Sequence, residues 1–137
     1  MRGMRYVLDT NIVSYYLRRS SAALEERLNA ELRQYAVAIS AITRAELRFG
    51  QKALLPQDRR CALIDAFLLR LPTIEWGIAA TDQYGVLRHH LKQQGTPIGD
   101  MDTQIAAHAL AENLILVTHN TRHFERVPAL QLEDWMS

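Results

Sequence analysis

Short apolar runs alternate with longer amphipathic stretches along this chain, and each run ends on small polar residues. Val7 and Leu8 form a run too short and too apolar for a surface helix, so they read as part of a buried strand that stops at Asp9. Residues 10–18 predict a short helix closed by Arg18 and Arg19. Ser20 or Ser21 caps a second helix over about 22–33, with Leu24, Leu28 and Leu32 on one stripe. A second strand is expected at 35–39, followed by a helix capped by Ser40 that runs to about Leu54. Pro56 is expected to open a further helix through Leu69, ended by Pro72. A third strand follows at 73–76, then a long helix over about 77–93 that stops at Gly95-Thr96-Pro97. A helix over about 101–112, a buried strand at 114–117 and a weak last strand at 130–132 complete the pattern. Strands alternating with helices predict an α/β fold, a parallel sheet flanked by helices on both faces.

The periodicity also says where the acids point. In the helix after Ser40, Ile42, Ala45, Phe49 and Ala53 recur at three and four residues and are expected to form its buried face. Glu46 falls on that same face, where a carboxylate is costly unless an arginine or a cation pairs with it. In the late helix, Asp102 sits one turn before the apolar side made by Ile105, Ala106, Ala109 and Leu110. First-turn acids suit the helix dipole, so capping competes with chemistry there, and Asp100 reads as the natural N-cap, with a metal role second.

Asp9, Thr10 and Asn11 end the first strand, and Thr118, His119, Asn120 and Thr121 follow the strand at 114–117. The crevice beyond the carboxyl ends of strands is where ligands bind in open α/β sheets. Capping of the next helix is the competing reading for Asp9. Asp9, Glu46 and Asp102 converging without a cation would repel and raise one another's pKa, and a divalent cation resolves that. All-oxygen ligands point to Mg²⁺ or Mn²⁺ rather than zinc. Such sites activate a water and stabilise an in-line displacement at phosphorus.

Composition changes this picture little. The chain has 137 residues, enough for one domain with a proper core, and a net charge of +1 that does not by itself announce a nucleic-acid binder. Its positive charge is almost all arginine, since Lys52 and Lys92 are the only lysines, and Arg44, Arg48, Arg122 and Arg126 lie near the polar clusters as candidate phosphate contacts. Cys61 is alone, no run approaches the roughly 18 apolar residues of a membrane span, and no leader pattern is present, so a reduced, cytoplasmic setting without membrane attachment is expected. His89 and His90 are neighbours that face different ways on a helix, and His108 and His119 lack a zinc-site spacing, so each reads as a surface or packed histidine. Tyr15 and Tyr16 read as core and interface residues. A glycine-rich phosphate loop and a Ser or Cys nucleophile constellation are not evident.

Four stretches then resemble one family in order and at family-like spacing. They are Val7-Leu8-Asp9-Thr10-Asn11; Ser40-Ala41-Ile42-Thr43-Arg44-Ala45-Glu46-Leu47-Arg48-Phe49-Gly50; Ile98-Gly99-Asp100-Met101-Asp102-Thr103-Gln104-Ile105-Ala106-Ala107-His108-Ala109; and Leu116-Val117-Thr118-His119-Asn120-Thr121-Arg122-His123-Phe124. Over nearly its whole length the chain resembles the PIN-domain ribonucleases, specifically the VapC-type toxins of type II toxin–antitoxin pairs. The resemblance implies a Rossmann-like sheet and an acidic pocket for Mg²⁺ or Mn²⁺, with Asp9, Glu46 and Asp102 as the core acids. It implies supporting roles for Thr10, Asn11, Ser40, Thr118 and Asn120, a single PIN domain over residues 1–137, a small VapB-type antitoxin as partner, a homodimer, and a structured RNA of the transfer or ribosomal class as substrate. Some members carry a fourth acid where this chain has Asn120. That departure supports an alternative: a PIN-fold module that binds RNA or a partner and cuts nothing. A phosphoacceptor role for Asp9 fits poorly, because a haloacid-dehalogenase-type phosphatase wants a second Asp where Asn11 stands, and a receiver wants its Asp on a later strand.

Overall fold

The computed structural model describes residues 3–136. Twelve elements follow one another: β1 (Tyr6–Leu8), α1 (Thr10–Leu17), α2 (Ala22–Arg33), β2 (Val37–Ser40), α3 (Ala41–Lys52), α4 (Arg59–Arg70), β3 (Thr73–Ile74), α5 (Ile78–Gln93), α6 (Asp100–Ala111), β4 (Ile115–Val117), α7 (Thr121–Phe124) and β5 (Leu132–Glu133). The strands form one five-stranded sheet in the order β3-β2-β1-β4-β5, and every pairing is parallel. Tyr6 lies beside Val37 on one side and Ile115 on the other, so β1 is central and closed on both edges.

Successive strand residues feed opposite faces, as the two-residue period requires. Tyr6 and Leu8 join a core with Ile12 of α1, Leu24 and Leu28 of α2, and Phe67 of α4. Val7 joins a second core with Leu87 and Leu91 of α5, Ile105 and Ala106 of α6, and Phe124 of α7. The order of strands matters for chemistry. From β1 the chain steps outward to β2 and β3, then crosses back to β4 on the other side of β1. That reversal opens a crevice past the carboxyl ends of β1 and β4, where Asp9 and Thr118 stand.

Three expectations need correcting. Beyond Ile42, which packs partly buried against the second core, the apolar stripe of α3 does not face inward: Thr43 and Leu47 are its buried residues, while Ala45 and Ala53 are exposed and Phe49 is 75 % exposed. A threonine is tolerated inside because its hydroxyl is satisfied, 3.0 Å from that of Thr10. Secondly, α4 starts at Arg59 rather than Pro56; the Asp58 carboxylate accepts the Arg60 backbone N–H and is the N-cap. Thirdly, Asp100 is not a cap. Gly99 holds that position with φ +91°, and Asp100 is the first helical residue. Only glycine adopts that backbone without strain, so the turn rather than a side chain starts α6. The short helix α7 was not expected; it buries Phe124 within four residues.

The two facings of α2 and α3 set a stability contrast. Leu28 is fully buried, so Leu28→Ala is expected to cost about 2–5 kcal/mol in urea unfolding. Phe49→Ala, on the outward stripe, is expected to cost less than about 1 kcal/mol. A larger loss at Phe49 than at Leu28 would contradict the orientation of α3.

Candidate active site

Asp9 ends the central strand and is 4 % exposed. It is also the N-cap of α1: its Oδ1 accepts the Ile12 N–H at 2.7 Å. The capping reading holds, and the cap leaves the carboxylate on the wall of a cleft. Its backbone N–H donates to the Val117 carbonyl at 3.0 Å, which locks the acid to β4. The buried Thr118 hydroxyl donates to the Asp9 carboxylate and accepts the Asn120 N–H at 3.0 Å. One carboxylate oxygen is thus oriented from α1 and the group is steadied from β4.

Burial pushes the Asp9 carboxyl up from its ordinary value to about 6, and the nearby Asp102 charge adds to the rise. The hydrogen bonds from Thr118 and Ile12, and the neighbouring His119, oppose it without cancelling it. A buried acid in this state lacks a countercharge.

Asp9, Thr10, Asn11, Glu46, Asp100 and Asp102 line one open cleft of about 450 Å³. The structure thus brings together the acids expected from sequence, from β1, α3 and α6. Glu46 is half-buried, projecting from α3 one turn after Ile42. Asp102 lies 2.9 Å from His123 Nε2, which also hydrogen-bonds the Ile98 carbonyl at 2.9 Å. Asp100 is exposed and accepts the Tyr84 hydroxyl at 3.2 Å.

The supporting residues divide. Thr10 and Asn11 line the cleft. Asn120 lines a smaller adjoining cleft of about 230 Å³ with Asp9, Asn11, Tyr15 and His119. Ser40 works from behind: it caps α3 by accepting the Ile42 N–H at 3.0 Å, and its Oγ is 2.7 Å from His108 Nδ1. His108 Nε2 is 3.1 Å from the Glu75 carbonyl, which only accepts, so Nε2 carries the proton and Ser40 donates to Nδ1. Burial holds the His108 pKa below its usual value, consistent with that neutral form. The pair ties the helix bearing Glu46 to the helix bearing Asp102.

Sequence reasoning missed His123 as a partner of Asp102, and Tyr84 as a partner of Asp100; no spacing marked either. Of the arginines singled out, Arg44 donates to Thr73, Arg48 is paired with Asp65, and Arg126 reaches the Pro97 carbonyl. None of these, nor Arg122, borders the acidic cleft.

The donor set suits a hard divalent cation. The acids line a common wall without closing on one point: among the described residues no three His, Cys, Asp or Glu side chains gather tightly enough to cage an ion. Mg²⁺ does not need a cage; it keeps several waters and binds through one or two carboxylates. Oxygen ligands and an uncompensated buried acid fit such an ion.

The raised Asp9 pKa makes a pH prediction for the metal-free protein. Between about pH 4 and pH 6 the folded state keeps a proton that the unfolded state has released, so stability falls as pH rises through this window. Above it the penalty is constant, on the order of 2–3 kcal/mol. Asp9→Asn keeps the capping oxygen and removes the charge. In urea unfolding with chelator, its stability advantage over the parent protein is expected to grow from pH 4 to pH 6 and then level off. An advantage that is flat with pH would contradict the buried, uncompensated carboxylate.

Chain and fold both resemble known proteins. The PIN domain family matches residues 6–130. The tRNA(fMet)-specific endonuclease VapC of Shigella flexneri is 39 % identical over 132 residues, 96 % of this chain and 98 % of that protein. Ribonuclease VapC2 of Rickettsia felis has the same identity and coverage. Among solved structures, VapBC2 from Rickettsia felis bound to a DNA fragment from their promoter superposes with a TM-score of 0.88 at 39 % identity, over 96 % of this chain and 99 % of that one. DNA-bound VapBC from Salmonella typhimurium gives a TM-score of 0.89 at 34 % identity, over 96 % and 98 %. By sequence and by fold, the chain belongs to the PIN-domain family, among the VapC ribonucleases.

Proposed function

We propose that this protein is a divalent-metal-dependent endoribonuclease, the toxin of a toxin–antitoxin pair, that cleaves a structured RNA of the transfer-RNA class. The observation that carries the reading is the acidic cleft at the strand-order reversal, with Asp9 buried and uncompensated at its floor. PIN-domain nucleases are in general divalent-metal dependent. The name of the Shigella flexneri relative, a tRNA(fMet)-specific endonuclease, supports initiator transfer RNA as the first substrate to try.

Asp9, Glu46 and Asp102 are the residues that would hold Mg²⁺ or Mn²⁺, with Asp100 as an additional outer ligand. When bound, the ion supplies charge neutralisation among the acids and Lewis acidity toward a phosphodiester and an attacking water. The chain's own groups prepare that chemistry. Thr118 and the Ile12 N–H fix the Asp9 carboxylate, so little reorganisation is needed when substrate arrives. His123 holds Asp102 toward the cleft from α7. Thr10 and Asn11 offer a hydroxyl and a carboxamide at the same wall, suited to phosphate oxygens. Asn120 is neutral where some family members have an acid, and its backbone N–H supports Thr118 instead.

A VapB-type antitoxin is the partner, and a homodimer over one PIN domain of residues 1–137 is the working unit. Solved relatives named as VapBC complexes support the partnership. Outward apolar side chains on α3, α4 and the turn between them support a protein partner, with Phe49 75 %, Leu55 67 % and Leu63 42 % exposed. No helix among the described residues is long and apolar enough to cross a membrane; a cytoplasmic location is the proposed setting.

The decisive assay is cleavage of an initiator-tRNA transcript with Mn²⁺. The parent protein is expected to cut it, chelator to stop the reaction, and Asp9→Asn to lower the rate by at least about a thousandfold with an unchanged circular-dichroism spectrum. Cleavage by folded Asp9→Asn at the parent rate would refute the assignment. No cleavage by the parent protein of any cellular RNA would favour the non-catalytic binding module.

A further inference from the structure

A cleft of about 570 Å³ lies beside the acidic one and shares Gly99 and Asp100 with it. Its other wall is one face of α5, where Gly85, Arg88, His89 and Lys92 recur at three and four residues. The buried side of α5 carries Ala80, Leu87 and Leu91, and Leu91 forms part of the cleft's apolar floor. The basic residues therefore stand together because the helix is amphipathic, and the cleft gathers them onto one surface.

We propose that this cleft is a phosphate-binding subsite in which Arg88 and Lys92 hold the RNA backbone next to the acidic pocket. The proposal rests on the ribonuclease reading and names where its substrate runs. A phosphodiester approaching Asp9, Glu46, Asp100 and Asp102 meets more carboxylates than one divalent ion neutralises, so cations along its route favour the approach. Among the clefts that adjoin the acids, this one carries them; the other carries Tyr15, His119 and Asn120. Arg88 is held in place: its Nη1 donates to the Tyr84 hydroxyl at 3.0 Å, that hydroxyl donates to Asp100, its Nε makes a long, exposed ion pair with Asp100 at 4.0 Å, and the guanidinium lies 5.8 Å from the Tyr84 ring centre, so its outer edge stays open to solvent. This chain of contacts sets Arg88 at the boundary between the two clefts. Lys92 and His89 are exposed and have no acidic partner among the described residues, so their donors are available to a ligand.

Two glycines lie on the walls of this cleft. Gly85 sits inside α5, where glycine is less favourable than alanine, and a Cβ there would meet nothing within 4 Å. Gly99, on the shared wall, carries the positive φ that turns the chain into α6 without a side chain over the junction.

The test reads binding, so that it does not depend on turnover. Asp9→Asn protein in Mg²⁺ is titrated into a fluorescein-labelled initiator-tRNA transcript and followed by anisotropy over a range of salt. Adding Arg88→Ala and Lys92→Ala is expected to raise Kd about tenfold near 0.1 M salt and to reduce the log–log salt slope by about 1.4–1.8, two phosphate contacts' worth. The matched control, Arg33→Ala with Arg59→Ala, removes the same charge from residues that border neither cleft and is expected to change Kd less than about twofold. In the cleaving background, Arg88→Ala/Lys92→Ala is expected to raise KM with kcat nearly unchanged. Equal effects of the two pairs on Kd and slope would overturn the subsite, as would a parent-like Kd for the Arg88/Lys92 pair. Either result, obtained with a parent protein that cleaves RNA, strikes the subsite alone; loss of cleavage by the parent protein strikes the ribonuclease reading.

Discussion

A carboxylate buried at the end of the central strand is the constraint on which the rest of this structure turns. Asp9 is placed by β1, capped onto α1 through the Ile12 N–H and bonded by Thr118 after β4. Each contact also stabilises the fold locally, since a capped helix and a closed strand edge are favourable in themselves. Burial nevertheless outweighs these hydrogen bonds and leaves an acid whose pKa has risen to about 6. The protein tolerates that cost at the one place where its strand order reverses and a crevice opens. Local strain of this electrostatic kind is what a cation bound at Asp9, as proposed, would relieve.

The other acids are held by devices of the same type, each from a different layer. Ser40 starts α3 and bonds His108 of α6, so the helices carrying Glu46 and Asp102 are joined through two buried side chains. His123 of α7 reaches Asp102 and the Ile98 carbonyl, tying the loop before α6 to the segment after β4. The fold therefore sets the wall of the pocket through polar contacts behind it, while the two apolar cores on either side of the sheet supply the rigidity.

Much of this was legible in the sequence. The strand ends at Asp9 and before Thr118 were readable because an apolar run stops abruptly in polar residues, and Ser21 and Ser40 capped the helices they preceded. The facing of α3 was misread, because periodicity finds an apolar stripe without saying whether the chain's own core or another surface covers it; Thr43 went inside on the strength of one hydroxyl pair. An acid before a helix commonly caps it, which is the pattern Asp100 presents in sequence, whereas the backbone at Gly99 starts α6 here. The partners His123 and Tyr84 lie 21 and 16 positions from the acids they contact, and no local pattern encodes such pairs. Nor does sequence alone show that Gly85, Arg88 and Lys92 border the acids, because that depends on how α5 packs against α6.

A divalent cation held through Asp9 is what the proposed activity requires of the acidic cleft. Calorimetric titration of Mn²⁺ into the chelator-treated protein, beside folded Asp9→Asn, tests it most directly. The account predicts saturable binding by the parent protein and at least a tenfold loss of affinity in the variant. Equal binding by both proteins, or none by the folded parent, would contradict it.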